Sequence, residues 1–141
     1  MVIDSIRDGI VIDHIKAGMG MEFYRLLKLS KLECQVAIIQ NASSQLRGKK
    51  DVIKIDSPIT VDLDVLGYLD PDCTVNVIRG GTVTEKYHPH IPETLTGVIR
   101  CKNPRCITAA EADLPHVFRL TDRENKVYRC LYCDTAARKI K

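Results

Sequence analysis

Four cysteines near the C-terminus carry the strongest chemical signal in the chain. They come as two close pairs, Cys101 with Cys106 in CKNPRC and Cys130 with Cys133 in CLYC, with 23 residues between the pairs. Such a set can form two disulfides, hold a catalytic metal or hold a structural one. Close pairs on two tight turns let four thiolates converge on one tetrahedral ion, with Zn–S bonds of about 2.3 Å. Asn103-Pro104 supplies turn chemistry inside the first pair, and C-x2-C is itself a metal-gripping turn. With Cys at every position no coordination site stays open for water, so the expected ion is a structural zinc. Redox compartment points the same way. MVIDSIRDGI at the N-terminus has acids at Asp4 and Asp8 and no apolar run, which does not read as a secretory signal, so a reducing cytoplasm is expected. Cys34 and Cys73 stand alone in apolar contexts and read as small buried hydrophobes.

The elements that must hold those cysteines are bounded by composition. A chain of 141 residues suits one ordinary domain or two small ones, and 45% hydrophobic residues are enough for a core. That core is aliphatic, because there is no Trp and only two Phe. No stretch approaches the roughly 18 apolar residues of a membrane span, so no membrane partner is expected. Net charge is +3, too mild to demand nucleic acid. Its excess sits in residues 101–141, with nine Lys/Arg against five Asp/Glu. Four thiolates around a divalent ion add about −2 and halve it.

A boundary is expected at KYHPHIPET (86–94), where two prolines push their predecessors away from helix. It separates residues 1–90 from 91–141. A complete Cys set leaves His88 and His90 as solvent-facing linker residues. Ahead of the boundary, VIDHI (11–15) reads as a strand and MGMEFYRLLKL (19–29) as a helix with Phe23, Leu26 and Leu27 at helical spacing. QVAIIQ (35–40) and DVIKI (51–55) read as strands joined by a polar connection, NASSQLRGKK. A short helix follows in SPITVDLDVLGYL, with Ser57 or Thr60 as its cap and Leu63, Leu66 and Leu69 on one face beside Val65. TVNVI (74–78) and TVTEKY (82–87) form a hairpin about Gly80-Gly81. The order β-α-β-β-α-β, with one extra strand, predicts an α+β chain whose N-terminal part is a ferredoxin-like antiparallel sheet with two helices on one face. Behind the boundary, TGVIRC, HVFRL and KVYRC read as short strands of a rubredoxin-like or zinc-ribbon-like β domain. A unit this small buries little surface, so the metal stands in for a core.

GIVIDHI (9–15), LRGKKDVIKI (46–55) and CKNPRCI…CLYC together resemble the regulatory chain of aspartate carbamoyltransferase, over the chain from about Ile3 to the last cysteine pair. The resemblance implies a non-catalytic subunit in pyrimidine biosynthesis. It implies an allosteric domain (1–90) that binds ATP and CTP, with UTP in some members, and a zinc domain (91–141) that grips catalytic chains. Regulatory dimers would tie two catalytic trimers into a dodecamer. The QVAIIQ strand is the expected edge for self-pairing.

Carried over by position, the resemblance implies that Ile3, Ile6 and Val11 flank a base, with Ile78 and Val83 as its other wall. Asp13 and Asn76 then fall near the sugar, and His14 on the phosphate side. Lys54 would reach base and sugar, Lys86 the triphosphate, and Lys50 a basic position close by. Asn103, Arg105 and Tyr132 would meet the catalytic chain, Arg105 replacing an amide found there in some members. Gly81 stands where well-known members carry a tyrosine, so looser hold on the base is expected, with its backbone groups kept for hydrogen bonding. Two other functional classes make different demands on the sequence. A nucleic-acid-binding zinc ribbon would use exposed aromatics, for which Phe118, Tyr128 and Tyr132 are the candidates. An independent enzyme would need a nucleophile–base or paired-carboxylate arrangement, and none is legible.

Overall fold

The computed structural model describes residues 6–45 and 48–137. The chain divides between His90 and Ile91 into two compact units. The first contains β1 (Gly9–Lys16), α1 (Gly20–Leu26), β2 (Val36–Ser44), β3 (Gly48–Ile55), α2 (Leu63–Leu69), β4 (Thr74–Arg79) and β5 (Thr82–Tyr87). Its sheet has the order β2-β3-β1-β4-β5, and every neighbouring pair is antiparallel. This is the ferredoxin-like arrangement with β5 added at one edge. Gly80 and Gly81 both have positive φ (59° and 81°), as a tight two-residue hairpin turn requires.

Period-two alternation sorts the sheet into two faces. Ile10 and Ile12, Ile53 and Ile55, and Val75 and Val77 are buried on one of them. Phe23 of α1 and Val65, Leu66 and Leu69 of α2 are buried as well, the helices closing the core over that face. Each aliphatic side chain buried there contributes roughly 1.5–3 kcal/mol. Leu63, expected on the same stripe, is exposed at the start of α2.

Several local expectations change. α1 stops at Leu26, because Lys28 adopts a left-handed conformation (φ 56°) and a 3-10 turn, Leu29–Lys31, follows. The polar NASS is no loop but the second half of β2, which continues past a register shift between Ile39 and Ala42. Asn41, left-handed at φ 59°, sits in that shift, and its N–H donates to the buried Asp51 carboxylate at 3.0 Å. Asp51 also accepts from the N–H groups of Gly18 (3.1 Å) and Gly20 (2.9 Å), so one side chain fixes both the β1–α1 turn and the bend in β2. The cap of α2 is Asp62, which accepts from the Asp64 N–H at 2.9 Å, rather than Ser57 or Thr60. Cys73 is fully buried, whereas Cys34 is only half-buried. After β5, Pro89 is buried while His88 and His90 are exposed. The His90 carbonyl lies against Gly67 of α2, in space that any Cβ would occupy.

The second unit contains β6 (Thr94–Thr96), α3 (Ile107–Ala110), β7 (Val117–Asp122) and β8 (Val127–Cys130), with the antiparallel order β6-β7-β8. Of the expected strand TGVIRC only Thr96 belongs to β6, because Gly97 turns the chain at φ 72°. Leu95, Phe118 and Cys130 lie side by side across the three strands. With Tyr128, whose hydroxyl donates to the Pro92 carbonyl at 2.6 Å, they make up a very small core. Among the described residues, no helix is long and apolar enough to cross a membrane.

Candidate metal centre and ligand face

The second unit brings all four expected cysteines together. Their sulfurs lie within 4.8 Å of one another, with 3.5 Å between Cys101 and Cys133 and 3.7 Å between Cys106 and Cys130. A tetrahedron with metal–sulfur bonds of about 2.3 Å has edges of about 3.8 Å, whereas a disulfide needs about 2.05 Å. None of the six cysteines is bridged. The donor set and its spacing fit one tetrathiolate-bound zinc.

Local backbone makes the clasp. In the first turn Asn103 Oδ1 accepts from the Arg105 N–H at 3.0 Å, and the Asn103 carbonyl accepts from the Cys106 N–H at 3.1 Å. In the second, the Asp134 N–H donates to the Cys130 carbonyl and the Cys130 N–H to the Thr135 carbonyl, both at 2.9 Å. Left-handed Asp134 (φ 63°) completes the reversal. His116 Nδ1 accepts from the Cys101 N–H at 3.0 Å, which fixes the first ligand to the start of β7.

The sulfurs are also surrounded by donors. Backbone N–H groups two residues on, at Asn103, Thr108, Tyr132 and Thr135, face the sulfurs of Cys101, Cys106, Cys130 and Cys133 in turn. Burial pushes the Cys101 thiol up to about 12 against the Asn103 N–H, and burial likewise raises Cys130. The Thr108 hydroxyl and N–H lower Cys106, and those of Thr135 bring Cys133 down to about 6. Loading a metal displaces the protons that these thiols hold.

The interface candidates lie on the tips of the turns. Arg105 and Tyr132 are exposed; Asn103 is half-buried, its Oδ1 committed to the turn and its amide donating towards Cys133. Ile107 and Leu131, which sequence reasoning did not single out, are exposed beside them. Of the aromatics a nucleic-acid reader would use for stacking, Phe118 and Tyr128 are buried core.

On the first unit, the sheet face turned away from the core side chains carries a cross-strand row. Lys54 pairs with Val11, Val11 with Asn76, and Asn76 with Lys86, so four strands set these residues side by side. Neighbouring strands lie about 4.8 Å apart, so the two lysines flank Val11 and Asn76 along a line of about 14 Å. One step along the strands, Gly9 pairs with Ile78 and Ile78 with Val83, giving an apolar row. Val83 is exposed, whereas Ile6 is buried against Gly9. At the other end Asp13 meets the Lys50 ammonium at 2.9 Å, and left-handed His14 (φ 58°) places Nδ1 3.2 Å from Thr74 Oγ1. Burial alone would raise the Asp13 carboxyl. The Lys50 hydrogen bond, the His14 N–H and the charges of both residues outweigh it and hold that carboxyl below its usual value. Ile3 lies outside the described residues. Gly81 does not keep its N–H available for a ligand, since it donates to the Arg7 carbonyl at 2.9 Å.

Comparison with known proteins joins the two halves. Residues 1–90 match the family described as aspartate carbamoyltransferase regulatory chain, allosteric domain, and residues 93–140 match that chain's metal binding domain. The aspartate carbamoyltransferase regulatory chain of Clostridium tetani is 49% identical over 135 residues, covering 95% of this chain and 94% of the relative. That of Clostridium botulinum is 48% identical over 134 residues, covering 95% and 92%. That of Bifidobacterium longum is 44% identical over 138 residues, covering 98% and 99%. The chain belongs to the aspartate carbamoyltransferase regulatory chain family, as a non-catalytic subunit with an allosteric domain, a metal-binding domain and a catalytic chain for its partner.

Proposed function

We propose that the first unit binds nucleotide effectors, ATP and CTP and also UTP, on the face that carries Lys54, Val11, Asn76 and Lys86. The supporting observation is their in-register alignment across four strands. The apolar Ile78–Val83 row suits a base, with Ile6 behind Gly9 and Ile3 in the preceding segment. Asn76 and Asp13 suit sugar hydroxyls, Lys54 suits base and sugar, and Lys86 and His14 suit the anionic end. Lysine serves a triphosphate as a flexible point charge. Lys50, paired with Asp13, sets the charge at that end.

In the same reading the zinc domain docks on catalytic trimers through Asn103, Arg105 and Tyr132, and regulatory chains pair through β2, one of the sheet's two edge strands. The work is done in the cytoplasm. A nucleotide then controls the catalytic chain only through its differential affinity for two states of the complex. The test is reconstitution with catalytic trimers, followed by assay of carbamoyl transfer to aspartate with each nucleotide. The reading predicts a large complex whose rate changes with at least one nucleotide. A complex that forms yet ignores all three would contradict the effector role.

A further inference from the structure

The two metal-gripping turns share a feature that the four ligands alone do not require. Each places a threonine two residues after its second cysteine, Thr108 after Cys106 and Thr135 after Cys133. Thr108 Oγ1 lies 3.1 Å from Cys106 Sγ, and Thr135 Oγ1 lies 3.2 Å from Cys133 Sγ. In a metal-loaded clasp the sulfurs carry no protons, so each hydroxyl is the donor. Among the described residues no such hydroxyl contact is made to Cys101 or Cys130. Burial divides the four differently: Cys106 and Cys130 are buried, Cys101 and Cys133 half-buried. Cys101 is thus the one half-buried ligand of the clasp without a hydroxyl donor.

We propose that Thr108 and Thr135 are positioning residues that draw charge from two of the four sulfurs and leave Cys101 as the sulfur at which a soft electrophile enters the clasp. A hydrogen bond to a thiolate stabilises the lone pair that would attack, so the attack slows. One charge-assisted hydrogen bond is worth roughly tenfold in equilibrium, and a Brønsted slope of about 0.5 turns that into about threefold in rate. With iodoacetamide the step is simple. The sulfur lone pair forms a bond to the CH2 carbon, the C–I bond breaks, and iodide leaves with its electron pair. The product thioether is neutral, so the ligand set loses one negative charge and its grip on the ion weakens.

The full-length, zinc-loaded chain carrying Cys34→Ser, which removes the one half-buried thiol outside the clasp, is treated with limiting iodoacetamide. Modified peptides are then mapped by mass spectrometry. Among the four clasp sulfurs Cys101 is expected to be modified first, and zinc release should follow its modification. Thr135→Val, which keeps the shape and loses the hydroxyl, should raise the rate at Cys133 about threefold, and Thr135→Ser should restore it. In cobalt-substituted protein the sulfur-to-metal charge-transfer band should move to lower energy in the valine variant and return in the serine variant. Modification of Cys133 or Cys106 ahead of Cys101 in the chain with native threonines overturns the proposal. So does a valine variant with unchanged rates and an unchanged band. If the valine variant fails to hold metal, the order of modification with native threonines decides alone.

Discussion

Asp13 and Lys50 close an ion pair at 2.9 Å, and both side chains are mostly buried. The pair joins β1 to β3 beside the strand irregularity that turns His14 left-handed. Because the folded carboxyl is held below its ordinary value, the stabilisation is fully present above the unfolded value and fades as pH falls through the folded one. Asp13→Asn should therefore cost about 1 kcal/mol near neutral pH. Urea unfolding of both chains should show that difference shrinking as pH drops below the usual carboxylate range.

Metal removal should act on one unit only. Among the described residues of the second unit, Leu95, Phe118 and Tyr128 are the large buried side chains, and the thiolate cluster completes that core. Structural zinc contributes on the order of 10–16 kcal/mol in small zinc peptides. Chelation should abolish the dispersed NMR signals of Phe118 and Tyr128 while those of Ile12 and Ile53 persist.

Asp51 should be among the costliest polar residues to lose. Its carboxylate accepts from the N–H groups of Gly18, Gly20 and Asn41, and it is wholly buried. Asp51→Ala leaves three donors without their acceptor and should destabilise the first unit by about 3 kcal/mol or more, read by urea unfolding.

Gly67 should tolerate no side chain. A methyl group there meets the His90 carbonyl, which would force the segment after β5 off α2. Gly67→Ala should cost about 1–3 kcal/mol despite alanine's better helix propensity. Hydrogen exchange should show faster exchange at the residues following Tyr87.

Much of this was legible in the sequence because it depends on period and spacing. Alternation in GIVIDHI and TVNVI puts Val11 and Asn76 on the face opposite Ile12 and Val75, and two tight cysteine pairs suffice to imply a clasp. The rest depends on long-range partners. NASS reads as a loop because its polar residues hide a strand, and only Asp51, ten residues on, explains the bend at Asn41. Asp62 outcompetes Ser57 and Thr60 as a cap because the chain enters the helix later than its proline suggests. Gly97 ends β6 early through its backbone angle, which VIRC gives no reason to expect. The repeated C-x-T in CIT and CDT was visible, but it means something only once the hydroxyls are seen beside the sulfurs.

The most direct measurement is calorimetric titration of ATP and CTP into the full-length zinc-loaded chain, repeated with Lys54→Ala and Lys86→Ala. Binding to one site per chain is expected, weakening as salt rises. Loss of either lysine should reduce affinity about tenfold, the scale of one charge-assisted contact. Absence of binding, or affinities indifferent to both substitutions, would contradict a nucleotide site on this face.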